Sequence, residues 1–252
     1  MLVLGLDTAT KALSVAIAEA GQVVVELYLN TDGRHAVRLL PLIDQALKWA
    51  GVSMAEIGAV AVSAGPGSFT GLRIGMATAK GLCQALGKPI VGVPTLDVLA
   101  ANAAGFDGLV LPLLYARQKQ VYTALYQTGL GPGSSAGQRR LTDYRSFKVE
   151  ALGPWLKHQL EVWGQDHGTS GQGARDARIL ALGDVPPDYL KPAQELVGPS
   201  LGWGRPEQMY PRATQVIQLA WAKLARGEGD DLYRLAPLYI MRSSAEEKLA
   251  SR

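Results

Sequence analysis

The chain has 252 residues, 48% of them apolar, with 25 basic and 22 acidic side chains and a net charge of +3. Such a length supports one large domain or two small lobes with real cores, and the near balance of charge excludes a strongly basic nucleic-acid binder or a disordered polar chain. A single cysteine, Cys83, excludes an internal disulfide, and no apolar run is long enough to span a bilayer, so no membrane partner is expected.

The chain opens directly on a strand-like run, Leu2 to Leu6, without the basic, apolar and cleavage regions of a secretory signal. It is read as a mature N terminus in the reducing cytoplasm. Leu2 to Asp7, Ala12 to Ala18 and Gln22 to Leu29 form three β-runs with very short turns between them, which predicts an antiparallel meander. The first turn, Asp7-Thr-Ala-Thr-Lys11, puts a carboxylate and two hydroxyls just after a buried strand. Those groups are able to hold a hydrated magnesium ion and a phosphate, although Asp and Thr also furnish ordinary turns.

After Asn30 to Arg34, the residues Ala36, Leu40, Ile43, Leu47 and Ala50 recur at alternating spacings of four and three, one apolar stripe of a helix. Leu39, Leu42, Ala46 and Trp49 fall outside it, and that surplus implies either a wide core face or a second, protein-facing surface. Pro41 should bend this helix or displace its start. His35, with no Cys or His nearby in sequence, reads as a cap or surface residue, not a metal ligand.

Ala59-Val-Ala-Val62 then reads as a short buried strand, and Ser63-Ala-Gly-Pro-Gly-Ser-Phe-Thr-Gly-Leu-Arg-Ile-Gly75 joins it to a helix from Leu72 to Leu86 that stops at Gly87. Gly65, Gly67 and Gly71 permit positive φ and close approach, and a helix start offers free N–H groups to an anion. Leu72 and Arg73 stand where a Walker loop needs Lys and Ser or Thr. On the glycines alone, close backbone packing without a ligand is the stronger reading and phosphate binding the alternative. Within the helix, Gly71, Gly75, Ala79 and Cys83 recur every four residues, so one side is nearly bare and something packs closely there.

Pro89 to Val93 reads as a strand and Thr95 to Ala104 as a helix capped by Thr95, which completes a first lobe, residues 1–105, with a mixed sheet and helices packed on it. In the second, residues 106–252, Gly108 to Leu114 and Gln120 to Tyr126 read as a hairpin about Ala116 to Lys119. Gly129 to Gly137 is a surface loop, Tyr144 to Val149 a strand, Ala151 to Trp163 a helix and Arg178 to Leu182 a buried strand, while Pro186 to Pro206 gives no clear element. Pro211 opens an amphipathic helix ending at Gly227, with Ala213, Ile217, Ala220 and Leu224 on one face. That helix and the apolar tail from Leu235 to Arg242 are expected to pack back on the first lobe, with Ser243 to Arg252 frayed.

Three strings, Leu4-Gly-Leu-Asp-Thr-Ala-Thr10, Arg34-His-Ala-Val-Arg-Leu-Leu-Pro-Leu-Ile-Asp44 and Gly65-Pro-Gly-Ser-Phe-Thr-Gly-Leu-Arg-Ile-Gly75, closely resemble the TsaB family. The resemblance covers the first lobe strongly, and the second through the Tyr122 region and Pro237-Leu-Tyr239. It implies a two-lobed actin-like ATPase fold, that of actin, sugar kinases and heat-shock chaperones, on ribonuclease-H-like sheets. It also implies the non-catalytic dimerisation subunit of the bacterial machinery that places threonylcarbamoyl on the tRNA adenosine next to the anticodon. In that superfamily the first-turn Asp serves magnesium and phosphate, so Asp7, Thr8, Gly65 and Gly67 are the positions for a vestigial site. Weak ATP or magnesium binding is expected there at most, with no tightly held cofactor.

The catalytic sister, TsaD, carries a His-x-x-x-His metal pair shortly after a strand like Ile90 to Val93, where this chain has Thr95 and Leu99. His35, His158 and His167 are far apart in sequence and offer no substitute, so neither a metal nor a catalytic residue is expected. The chain departs from the family at Tyr115-Ala116-Arg117, where an Asp usually precedes Ala-Arg.

The resemblance further implies a TsaD-type partner, a TsaE-type P-loop ATPase, tRNA only within the complex, and a homodimer when the chain is alone. Its interface is expected on the two apolar helices, through Leu40, Ile43, Leu47, Leu72, Gly75, Met76, Ala79 and Cys83. Burial of both helix faces within the lobe is the competing reading. An ATP-dependent carbamoyl or phosphoryl transferase using Asp7 and the glycine loop is the alternative function, and a glycoprotease, for which no Ser/His/Asp set or metal pair is present, ranks last.

Overall fold

A computed structural model describes residues 1–30, 34–129, 137–166 and 177–241. The interior of the expected 129–137 loop, the 168–173 glycine stretch, His167 and the 243–252 terminus lie outside the described residues. Strands β1 (Leu2–Asp7), β2 (Ala12–Glu19), β3 (Gln22–Asn30), β4 (Ile57–Ser63) and β5 (Ile90–Val93) form one sheet in the order β3-β2-β1-β4-β5. The meander β1–β3 is antiparallel, and β1, β4 and β5 run parallel through crossovers by α1 (His35–Ala50) and α2 (Phe69–Leu86).

The alternation along the central strands sorts side chains by size. Leu4, Leu6, Leu13, Val15, Ile17, Val60 and Val62 face α1 and α2, whereas Val3, Ala16, Ala18, Ala59 and Ala61 face the other way. The small residues on that second face admit a helix at short range. It is α6 (Ala213–Leu224), with Val216, Ile217, Ala220 and Leu224 in the contact. A Cβ on Gly5 would lie 2.6 Å from Ala213 O, so the glycine is required by the approach. Glu26 on β3 fixes the start of α6: it accepts from Arg212 Nη2 at 2.8 Å, Thr214 Oγ1 at 3.2 Å and Ser14 Oγ at 3.0 Å. A carboxylate there also complements the helix dipole.

A second sheet holds β6 (Gly108–Tyr115), β7 (Gln120–Thr123), β10 (Arg145–Lys148), β11 (Ile179–Leu182) and β12 (Leu201–Trp203), with β8 (Tyr126–Thr128) and β9 (Gln138–Arg140) alongside. Helices α4 (Leu152–Asp166) and α5 (Lys191–Val197) cover one face. On the other, α3 (Thr95–Ala101) buries Leu96, Leu99 and Ala100 against Val110, Leu114 and Tyr126. Asp97 of α3 accepts from Tyr126 OH at 2.5 Å and Tyr144 OH at 2.9 Å, which locks this connecting helix onto the second sheet.

The tail after α6 lies on the first sheet. Leu238 N donates to Ala64 O at 2.6 Å and Gly92 N donates to Asp230 Oδ2 at 2.7 Å.

Three local readings change. The buried side of α1 is His35, Leu39, Ile43 and Ala46, so the apolar stripe is rotated from the expected one, and Ala36 and Leu40 are exposed. The helix runs on through Pro41. Thr95 does not cap α3: Pro94 is the capping residue and makes no side-chain bond, while Thr95 Oγ1 accepts from Gly65 N at 3.0 Å. The 186–206 stretch holds α5, β12 and two short 3₁₀ turns.

Candidate functional site

The glycine loop is spent on the protein's own backbone. Ser68 N donates to Ala9 O at 2.7 Å, and Thr8 Oγ1 donates to Gly71 O at 2.7 Å. A Cβ on Gly67 would strike Ala9 O, one on Gly71 Thr8 O, and one on Gly75 Thr8 Oγ1. Gly65, at φ 100° and joined to Pro66 by a cis peptide, lies against the tail, where a Cβ would come within 2.9 Å of Leu238 O. Thr95 N closes the same loop from α3 by donating to Gly65 O at 2.8 Å. The close-packing reading of these glycines is the one the geometry carries.

Asp7 is wholly buried, accepting from Ser63 Oγ and from Ala9 N at 3.3 Å. Burial pushes its carboxyl up to about 6, against the lowering influence of those two bonds. Thr8 is equally buried. Asp7, Thr8 and Gly65 therefore turn inward, while Gly67, the fourth residue expected to meet magnesium or phosphate, reaches the wall of a cavity.

That cavity, of about 590 Å³, lies between the β1–β2 turn, the start of α2 and the second sheet. Thr10, Lys11, His35 and Thr70 line it from the side of the first sheet, and Tyr115 and Asp184 from that of the second. Lys11 Nζ crosses the gap to Asp184 at 3.0 Å, and hydrogen bonding to Tyr210 and Asp184 holds its ammonium well above the ordinary lysine range. Tyr115 is 54% exposed on the cavity wall, its ring 6.4 Å from that of Tyr189.

His35 is neither a surface residue nor a side-chain cap of α1. It is 2% exposed, its Nε2 donates to Thr10 O at 2.7 Å, and its Nδ1 has no partner among the described residues.

The expected partner surface splits in two. Ile43, Leu72, Gly75, Met76, Ala79 and Cys83 are buried in this lobe, because the bare side of α2 is the side that Thr8 and the sheet approach. Burial also pushes the Cys83 thiol up to about 11. These residues present nothing to a partner. Leu40 is 59% exposed and Leu47 partly so.

The outward surface comprises residues that the spacing analysis passed over. Val37, 70% exposed, stands three residues before Leu40 on α1, and Ala77, Gly81 and Ala85 run down the open side of α2. A Cβ on Gly81 would meet nothing within 4 Å. At the start of α2, Phe69 is 48% exposed, with the Arg73 guanidinium 3.8 Å from its ring centroid and Tyr239 of the tail 5.4 Å away. Of the apolar surplus of α1, Leu39 and Ala46 are buried and Trp49 is 67% exposed, while Leu40 of the expected core stripe faces outward.

The family model of the tRNA N6-adenosine threonylcarbamoyltransferase TsaD matches residues 29–137, from the end of β3 into the second sheet. The Escherichia coli protein TsaB, of tRNA threonylcarbamoyladenosine biosynthesis, is 41% identical over 89% of this chain and 98% of its own length. Its Bacillus subtilis counterpart is 29% identical over 98% of this chain and 97% of its own length. The solved structure of YeaZ from Pseudomonas aeruginosa superposes with a TM-score of 0.71 at 27% identity, covering 94% of this chain and 99% of that one. The mixed α/β, two-sheet architecture is the actin-like ATPase fold. With a relative this similar across its whole length, the chain belongs to the TsaB family.

Proposed function

We propose that this chain serves tRNA threonylcarbamoyladenosine biosynthesis as a non-catalytic scaffold that pairs with a TsaD-type catalytic subunit. The observation that carries the pairing is the apolar outer face of α1 and α2: Val37 and Leu40 are 70% and 59% exposed beside a helix whose Gly81 is open to solvent. A core needs only one side of each helix, and exposed apolar helix faces of this kind mark association surfaces. The segment that matches the threonylcarbamoyltransferase family, residues 29–137, contains both helices, so a sister subunit brings a similar pair and the two pack helix against helix. The same symmetry lets two copies of this chain pair through that face when the catalytic subunit is absent. Asp7, turned inward and wholly buried, supports the non-catalytic part of the reading.

The test is Leu40→Glu. Gel filtration with the TsaD-type subunit of the same organism should show the wild-type chain co-eluting, and the variant separate with its melting temperature unchanged. Threonylcarbamoylation of tRNA should need both proteins and fail with the variant. Co-elution of Leu40→Glu as tight as wild type removes this face from the interface. ATP turnover by the chain alone removes the non-catalytic role.

A further inference from the structure

The segment after α6 forms a third ridge beside α1 and α2. Leu232 and Leu235 pack on the same core cluster as those helices, and Asp230 bridges to Ile90 on the edge strand β5. Since α1 covers β2 and β3 and α2 covers β4, the tail at β5 leaves α2 in the middle of the three. The tail runs back along that helix. Lys80 Nζ donates to Tyr233 O at 3.4 Å, and Arg73 Nε, two turns nearer the helix start, donates to Tyr239 OH at 3.3 Å.

This ridge turns aromatic side chains outward. The Tyr233 ring is 81% exposed, on a backbone fixed by the Lys80 contact and by its own N–H, which donates to Asp231 Oδ1 at 2.8 Å. Tyr239 and Phe69 are each about half exposed, with ring centroids 5.4 Å apart and the Arg73 guanidinium 3.8 Å from the Phe69 centroid. Tyr, Phe and Arg are the side chains that anchor protein interfaces, and rings held in place before binding lose little freedom on contact. The neighbouring basic groups are already engaged, Arg234 by Asp231 at 3.7 Å and Lys80 by the Tyr233 carbonyl, so the surface suits a protein better than the backbone of an RNA.

We propose that Tyr233 and Tyr239 of the tail, with Phe69 and Arg73, contact the TsaD-type subunit, the tail being the second wall of a trough whose floor is α2 and whose first wall is α1. The inference rests on the pairing through α1 and α2 and extends it. A partner helix about 10 Å across, laid on Ala77 and Gly81, comes close to the α2 backbone, and its flanks meet what stands on either side. On one side stand Val37 and Leu40, and on the other the tail. Symmetry between sister helices does not foresee this wall, because the tail lies outside residues 29–137, which match the sister family.

The experiment is hydroxyl-radical footprinting of the full chain, read by mass spectrometry, alone, with the TsaD-type subunit of the same organism, and with tRNA. Phe69, Tyr233 and Tyr239 should lose reactivity when the subunit is added, while Leu196, exposed on α5, keeps its own. Tyr233→Ala and Tyr239→Ala should each weaken the complex about ten-fold, the scale of an aromatic anchor. Tyr233→Ala removes a ring that the chain itself does not bury, so its melting temperature should equal that of wild type. Failure of the wild-type chain to bind the subunit ends the pairing and this inference together. Where the wild type binds and Leu40→Glu does not, unchanged reactivity of both tyrosines in the complex, or wild-type affinity in both alanine variants, overturns the tail contact alone. Protection by tRNA with none from the subunit overturns it as well and assigns the rings to RNA.

Discussion

Along α2, Gly71, Gly75, Ala79 and Cys83 line one side and Ala77, Gly81 and Ala85 the other, each set repeating every four residues. By composition and spacing the two sides are close equivalents. By environment they are opposites, since a Cβ on Gly71 or Gly75 would strike Thr8, while one on Gly81 would touch nothing within 4 Å. Small residues at helical spacing thus record that a close approach is permitted without recording whether the approaching partner is the chain's own sheet or another molecule. Substitutions on the two sides of this one helix should separate folding from association.

The largest effect should come from a charge on the inner side. Ala79 is fully buried between α2 and the sheet, and Ala79→Glu puts an uncompensated carboxylate there. The expected loss is about 4 kcal/mol or more, enough to unfold much of the protein at ambient temperature. Urea titration followed by circular dichroism measures it. A variant as stable as wild type would mean that the inner side opens readily, and the distinction between the two sides would fall.

An opposite sign is expected at Asp7, behind the same inner side. Its carboxyl is raised by burial from 3.8 to about 6, so the folded state holds this proton more tightly than the unfolded chain does. Its contribution to stability is greatest below about pH 4, declines as the pH rises to about 6, and is constant above that. A shift of this size corresponds to about 3 kcal/mol. Asp7→Asn should therefore stabilise the protein at pH 7.5 by up to about that amount, the advantage over wild type shrinking toward zero near pH 4. Urea midpoints of both proteins across that range check it. Destabilisation by Asp7→Asn at pH 7.5 would show that the fold needs the ionised carboxylate.

How legible these features were in the sequence follows from where each signal resides. The first sheet could be read because its strands alternate, its turns are short and its helices end at Gly51 and Gly87 in the left-handed region. Helix α5 could not, because it is short and buries only Ala193, and its stability comes from α4, where a Cβ on Gly153 would lie 2.5 Å from Pro192 O. No periodicity announces a contact made by a distant glycine. The phase of α1 was misread for a related reason. His35 and Ala46 join Leu39 and Ile43 in the buried side, whereas the more apolar Val37 and Leu40 are exposed, so hydrophobicity pointed partly outward. At the candidate site, Asp7 and the glycines stood out by residue type, but only the fold shows Asp7 facing Ser63 and the lone His35 buried beside a cavity, its Nδ1 unpaired among the described residues.

The smallest expected effect tests the outer side most cleanly. Gly81 occupies the interior of an exposed helix with room for a methyl group, so glycine there costs conformational entropy that no contact within the chain repays. Gly81→Ala should raise stability by about 0.5–1 kcal/mol, read as a shift in the urea midpoint with no change in its slope. Gly75→Ala, on the other side of the same helix, should lower stability, because its methyl group meets Thr8 Oγ1. If both alanines stabilise, the inner contact is loose and the two sides do not differ as described. If Gly81→Ala stabilises the free chain yet weakens its association with the TsaD-type subunit, the glycine is retained for a helix that comes from outside.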